Sequence, residues 1–131
     1  MVLLGDKSKD TRPVFLDLTV IHLPRTALVS ILHRVSGVGL ILSYPLLVAL
    51  MYATVFTWQN DVLDNVITHV LFKIFSALVL MGSGYHLLAG LRHVFADIFG
   101  LYDLSVGQST ADFVLFLWVA WSLYVIYGVW F

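Results

Sequence analysis

The sequence predicts an all-α integral membrane protein, in which a short N-terminal surface segment precedes a bundle of three transmembrane helices. Of the 131 residues, 60% are hydrophobic and 11% are charged. A water-soluble domain of this size cannot bury so large an apolar fraction. Three uncharged runs, at residues 35–56, 74–91 and 113–131, are each close to the roughly 20 residues that a helix needs to cross a bilayer.

Residues 1–24 are expected to form a cytoplasmic or interfacial segment, because a polar start is followed by a semi-apolar stretch between Pro13 and Pro24. A cleavable signal peptide is the alternative. The segment before the first apolar run is long for a signal peptide, and no small-residue cleavage site follows a short apolar core. Residues 25–131 are therefore expected to form the membrane domain.

The membrane domain is expected to contain spans at about residues 28–57, 66–95 and 111–131. A polar loop separates the second and third spans. Thr110 is the predicted N-cap of the third helix, with Asp112 in its first turn, because such residues satisfy the free N–H groups of a helix start.

The distribution of lysine and arginine predicts the orientation in the membrane. The connector between the first two spans contains Asp61 and Asp64 but no basic residue. The basic residues before or within the first span and at the end of the second are Lys7, Lys9, Arg12, Arg25, Arg34 and Arg92. The N-terminus and the second connector should therefore face the cytoplasm.

The absence of cysteine limits the redox chemistry of the chain. It excludes disulfides, zinc-thiolate sites and thiolate-ligated iron–sulfur clusters. The sequence also contains no dinucleotide-binding fingerprint and no soluble domain that could hold a flavin. A redox metal in this chain therefore needs histidine or another non-thiolate ligand.

His86 lies within the second uncharged run, where an ionisable side chain is costly and needs a partner. Gly82 and Gly90 are four residues to either side, on the same helix face. One interpretation is that His86 ligates a planar macrocycle for which the glycines leave room. The other is that the glycines permit close helix packing, with His86 hydrogen-bonded across the interface.

If His86 ligates the iron of such a macrocycle, a second axial ligand to that iron cannot come from the same straight helix. His93 is on the face of His86 but about 10 Å along the axis, whereas two axial ligands approach one iron from opposite sides. His33 is the other candidate at the inner end of the bundle, His69 lies at the outer end, and His22 belongs to the surface segment.

Ser30, His33 and Arg34 have the spacing i, i+3 and i+4, which places them on one face at the inner end of the first helix. Such a group can bind a quinone carbonyl or a haem propionate, because arginine pairs with carboxylates in a bidentate manner. The alternative is that Arg34 marks the cytoplasmic end of the span and contacts lipid phosphate.

Two blocks of sequence contain motifs in a fixed order. The first continues from Arg12-Pro to Ser-Ile-Leu-His-Arg-Val-Ser-Gly at residues 30–37, and the second reads His-x3-Gly-x-Arg-His-x3-Asp at residues 86–97. Together they resemble the cytochrome b556 family of membrane-anchor subunits of succinate dehydrogenase, respiratory complex II. The likeness covers about residues 12–103, and the third span matches only in being apolar.

The resemblance implies a haem b site. His86 would be one axial ligand, with the other supplied by a histidine of a second hydrophobic anchor subunit. His33 and Arg34 would lie near the haem propionates.

The resemblance also implies a quinone site. Ser30 and Arg34 would contact ubiquinone, the electron acceptor. His93 and Asp97 would lie at the cytoplasmic end of the second span, near the haem and the iron–sulfur subunit. Arg25 departs from the family, which often has an uncharged residue at that position.

The resemblance further implies a path for electrons, from succinate oxidised on a flavoprotein subunit, through the iron–sulfur subunit, to quinone at this anchor. The chain itself would not carry the succinate-oxidising site. Its surroundings would be membrane lipid, and no nucleic-acid partner is expected. Phe15-Leu-Asp17 favours a bacterial member, and hence the bacterial inner membrane. A quinol:fumarate reductase anchor and a cofactor-free structural anchor are the alternatives.

Overall fold

The computed structural model describes residues 23–56, 61–101 and 103–131. Within these ranges the chain forms α1 (Arg25–Phe56), α2 (Asp61–Thr68), α3 (Val70–Phe99) and α4 (Leu104–Trp130). Helices α1, α3 and α4 are long and apolar enough to cross a membrane. The predicted all-α fold with three spanning helices is confirmed, whereas the expected surface segment falls outside the described residues except for its last two.

The second predicted span is divided at His69. Helix α2 ends at Thr68 and α3 begins at Val70, so a continuous helix across residues 66–95 is wrong at its outer end. The ring Nδ1 of His69 accepts a hydrogen bond of 3.2 Å from the Leu71 N–H, and His69 is thereby the N-cap of α3. This bond satisfies one of the free N–H groups that a new helix start exposes.

Helix α3 ends at Gly100, which adopts the left-handed backbone conformation with φ of 63°. Glycine takes this conformation without the steric penalty of a side chain, and it is the usual terminator of helices. The N–H groups of Gly100 and Leu101 both bond to the Ala96 carbonyl oxygen. The connection to the next helix is consequently short.

The predicted N-cap at Thr110 is wrong, because α4 begins at Leu104 with Asp103 as its N-cap. Thr110 lies inside α4, where its hydroxyl donates to the Gly107 carbonyl oxygen at 3.1 Å and accepts from the Arg92 Nε at 3.1 Å. The polar stretch that resembled a loop is therefore the first part of a helix, stabilised by contacts with α3.

The core lies where α3 packs between the other two spans. Its buried members are Val29, Tyr85, Ala89, Ala111 and Val114. The Tyr85 hydroxyl donates to the Val29 carbonyl oxygen at 2.9 Å, which satisfies a polar group that would otherwise be costly inside a membrane. The alanines allow the helix backbones to approach closely.

Most large apolar side chains outside this core remain exposed. In a membrane such a surface contacts lipid tails or other hydrophobic subunits, so its exposure is compatible with the fold.

One end of the bundle combines the start of α1, the end of α3 and the start of α4. It carries Arg25, Arg34 and Arg92, and we call it the arginine end. An ion pair joins Arg25 to Asp112 of α4, and Arg92 joins α3 to the first turns of α4. Concentration of basic residues at one end is typical of the cytoplasmic side of a membrane protein.

Candidate functional site

Three imidazoles from two helices meet near the arginine end, and we call them the histidine cluster: His33 of α1 with His86 and His93 of α3. The rings of His33 and His86 stack with centroids 4.1 Å apart and an interplanar angle of 18°. The His33 and His93 rings are 5.5 Å apart and tilted by 49°. All three side chains are half-buried.

The imidazole of His86 is held by one turn of α1. Its Nδ1 lies 3.1 Å from the His33 carbonyl oxygen and 3.1 Å from the Ser36 hydroxyl oxygen. A carbonyl oxygen only accepts hydrogen bonds, so we assign the proton to Nδ1. The lone pair is then on Nε2, which is the nitrogen available for coordination.

The glycines near the histidine cluster differ in how much free space adjoins them. A Cβ atom added at Gly37 would lie 3.0 Å from the His86 Cε1, and one added at Gly90 would lie 3.3 Å from the His33 Nε2. At Gly82 an added Cβ would meet nothing within 4 Å. Of the two glycines predicted to flank His86, Gly82 therefore faces open space, whereas Gly90 adjoins the His33 ring.

Close helix packing depends on a different glycine. A Cβ added at Gly84 would lie 2.2 Å from the indole Nε1 of Trp121, whose N–H donates to the Leu80 carbonyl oxygen at 2.9 Å. Trp118 makes a similar bond to the Met81 carbonyl oxygen at 3.1 Å. The packing role considered for Gly82 is thus taken by Gly84 against α4.

The proposed quinone residues lie on α1 next to the histidine cluster. Ser30 is half-buried and precedes His33 by one turn, while Arg34 is exposed. The continuous helix from Arg25 to Phe56 keeps the predicted i, i+3, i+4 arrangement. The structure therefore brings His33 inward against α3 and leaves Arg34 at the bundle surface.

His93 and Asp97 lie in different surroundings. His93 belongs to the histidine cluster. Asp97 is exposed in the last turn of α3. Both lie at the arginine end, toward the end of α3.

Two arginines connect the helices, and the sequence motifs assign neither of them a role in the site. Arg25 pairs with Asp112, so its extra charge at the arginine end is accompanied by a carboxylate. Arg92 donates from Nε to Thr110 and from a terminal nitrogen to the Gly107 carbonyl oxygen at 3.0 Å. The motif contained Arg92, but only the folded chain shows that it fastens α3 to α4.

The described part of the chain contains no group of three or more histidine and carboxylate side chains arranged to hold a metal ion. Stacked rings direct their faces toward each other, so His33 and His86 do not aim their nitrogens at a common point. The histidine cluster is therefore suited to supply one nitrogen ligand, from His86, rather than a complete metal site.

Three helices are long and apolar enough to span a membrane, and the histidine cluster lies between two of them. These features define the class of protein: a multi-pass membrane protein with an imidazole inside its bundle that can ligate a metal. The sequence profile of the succinate dehydrogenase/fumarate reductase transmembrane subunits matches residues 8–125. The chain belongs to this family.

Relatives with described functions support the assignment. The chain is 35% identical over 121 residues to the succinate dehydrogenase cytochrome b556 subunit of Coxiella burnetii (strain RSA 493 / Nine Mile phase I), covering 91% of this chain and 95% of that protein. It is 32% identical over 128 residues to the cytochrome b560 subunit of Chondrus crispus, covering 88% and 92%. The predicted resemblance is confirmed, and the match continues beyond residues 12–103 into α4, which was expected to match only in being apolar.

Proposed function

We propose that the chain is a succinate dehydrogenase membrane anchor that holds haem b jointly with a second anchor subunit and forms part of the ubiquinone-reduction site. The observation that supports this most directly is the environment of His86. Its Nδ1 is bonded to α1, so Nε2 is free for iron, inside a member of a family that includes cytochromes b.

The residues present fit one half of a haem site. A b-type haem supplies a one-electron redox centre when bound. His86 would provide one nitrogen ligand. The ring of His33 stacks on that of His86, so the two rings do not direct their nitrogens at a common point. A histidine of the second anchor subunit would provide the other ligand, while His33 and Arg34 would lie near the propionates.

Ser30 and Arg34 would bind the quinone at the arginine end. Quinone takes up two electrons and two protons to become quinol, and its oxygens gain negative charge as it is reduced. A hydroxyl and a guanidinium can donate hydrogen bonds to such an oxygen and stabilise that charge. The two electrons come from succinate, which is oxidised on the flavoprotein and not on this chain.

The arginine end would also meet the soluble subunits. His93 and Asp97 lie there at the end of α3, where an iron–sulfur subunit would deliver electrons. The exposed apolar faces of the helices would contact lipid and the second anchor.

A quinol:fumarate reductase anchor is the second candidate, because the matching family includes subunits of both enzymes. The direction of electron flow depends on relative reduction potentials. A cofactor-free structural anchor would account for the three spans but gives no function to the hydrogen bonds that hold His86 of α3 against α1.

A reduced-minus-oxidised spectrum of the detergent-solubilised complex, combined with its subunit composition, tests the proposal. We expect a b-type spectrum in a preparation that also contains a flavoprotein, an iron–sulfur protein and a second hydrophobic subunit. A complete four-subunit preparation without haem would identify a structural anchor instead.

Ser30→Ala is expected to lower succinate–quinone reductase activity while dye-linked succinate oxidation and the haem spectrum stay intact. The change removes one hydrogen bond, with a net value of about 0.5–1.5 kcal/mol. Ser109→Ala is the matched control, since that exposed hydroxyl is bonded to its own helix, to the Ser105 carbonyl oxygen. Equal loss of both activities would indicate faulty assembly. Unchanged quinone reduction and quinone affinity would remove Ser30 from the site.

The proposed topology places the N-terminus and the arginine end in the cytoplasm of a bacterium, with the protein in its inner membrane. Cysteines introduced at Asn60, in the connector after α1, and at Gln108, an exposed position in the first turns of α4, report on the two sides of the membrane. On intact cells with a permeable outer layer, an impermeant thiol reagent should label position 60 only, because the connector without basic residues faces outward. Labelling at 108 alone would invert the orientation.

A further inference from the structure

We propose that Ser36 is a positioning residue for His86, and that Gly37 next to it provides the space the imidazole occupies. Together, Ser36 and Gly37 would fix which nitrogen of His86 faces the haem iron and how electron-rich the ring is. This inference rests on the proposed haem site, and it concerns two residues to which neither the sequence motifs nor the family resemblance gives a role.

The direction of the hydrogen bonds follows from the Ser36 hydroxyl. It donates its single proton to the His33 carbonyl oxygen at 2.7 Å, one turn earlier in α1. Its oxygen lone pairs then face the His86 Nδ1 at 3.1 Å. The same Nδ1 lies 3.1 Å from the His33 carbonyl oxygen. One N–H is thus shared between two acceptors, and neither has a proton left to give to Nδ1.

The available space follows from Gly37. A Cβ there would be 3.0 Å from the His86 Cε1 and 3.5 Å from its Nδ1. The nearer distance is shorter than ordinary van der Waals contact, so an alanine there requires the imidazole to shift by a few tenths of an ångström. Glycine at this position lets the ring approach both acceptors.

Such a second layer of hydrogen bonds has two measurable effects on a ligated histidine. It fixes the ring orientation, and loss of an outer partner typically weakens metal retention by about 10–100-fold. It also increases the electron density of the ring, which favours the oxidised iron and lowers the reduction potential. Removing one of two acceptors should therefore raise the potential.

The test uses Ser36→Ala in the complete solubilised complex, with haem content normalised to flavin and the haem midpoint potential measured by redox titration. We expect about tenfold weaker haem retention and an upward shift in potential. Ser43→Ala is the matched control, because Ser43 makes the same bond to the carbonyl three residues earlier, at 2.8 Å, without a histidine partner. It should leave both quantities unchanged.

Three further variants separate positioning from a general effect on folding. Ser36→Thr retains a hydroxyl that can bond to the same carbonyl and should restore the wild-type potential. Gly37→Ala should lower haem retention, whereas Gly39→Ala should not, because a Cβ at Gly39 meets nothing within 4 Å. If Ser36→Ala yields no complex, this glycine pair and the threonine variant decide the question.

The outcomes distinguish this inference from the haem proposal itself. A wild-type complex without haem would overturn the proposed function. A wild-type complex with haem, in which Ser36→Ala has the same potential and haem content as Ser43→Ala, would overturn the role of Ser36 alone. Equal haem retention in the two glycine variants would overturn the role of Gly37.

Discussion

Replacing His86 with alanine is expected to abolish the b-type haem spectrum of the complex. The variant removes the one imidazole of the histidine cluster whose Nδ1 is bonded to α1 and whose Nε2 is therefore available to iron. Methyl groups cannot ligate haem iron, and the stacked ring of His33 is not positioned to replace the lost nitrogen. The measurement is the reduced-minus-oxidised spectrum per flavin in the assembled complex.

His69→Ala is the control for this variant. It deletes an imidazole of the same chain that caps α3 at the opposite end of the bundle, so the spectrum should persist. An unchanged spectrum in His86→Ala would remove His86 from the ligand set. The chain produced alone should not form a bis-histidine haem. If it did, both ligands would come from this chain, and the role assigned to the second anchor would be wrong.

Gly84→Ala is expected to destabilise the packing of α3 against α4 by about 1–3 kcal/mol, the usual effect of overfilling a packed interface. The new methyl group would lie 2.2 Å from the Trp121 Nε1. The indole must then move, and its hydrogen bond to the Leu80 carbonyl oxygen is lost. A lower thermal transition of the solubilised complex is the expected readout.

Gly128→Ala provides the comparison, since an added Cβ there meets nothing within 4 Å. Its thermal transition should match that of the wild type. Restored stability in the double variant Gly84→Ala with Trp121→Phe would assign the effect to the indole. Equal transitions for the two glycine variants would show that α4 accommodates the methyl group without cost.

The spanning helices could be predicted from sequence because their signal is local. An uncharged run of sufficient length has one stable solution in a bilayer, a helix whose backbone groups bond to each other. Run length and the absence of charge therefore suffice to locate α1, α3 and α4, whatever their packing.

The helix ends that depend on tertiary contacts could not be predicted in this way. Residues 104–110 are polar enough to indicate a loop, yet Arg92 of α3 bonds to Thr110 and Gly107 and α4 begins before them. The division at His69 has a different, local cause: His69 bonds to Leu71, and histidine is not among the residues expected to cap a helix.

In the candidate site, too, sequence predicts the residues with a local signal and misses those that depend on a tertiary contact. His86 was recognisable because an imidazole in an apolar run needs a partner. Ser36 was not, since a hydroxyl in a membrane helix commonly bonds to the preceding turn of its own backbone, as Ser43 does. The contact that distinguishes Ser36 joins residues 50 positions apart in the chain.

The ion pair between Arg25 and Asp112 can form only after the chain has been translated as far as α4. Its partners are 87 residues apart, so at roughly 5–20 residues per second the ribosome needs about 4–17 seconds to complete the second partner after the first. The bond between Val29 and Tyr85 spans only 56 residues. The first and second spans can thus meet while the third is still being translated, and α4 closes the arginine end last.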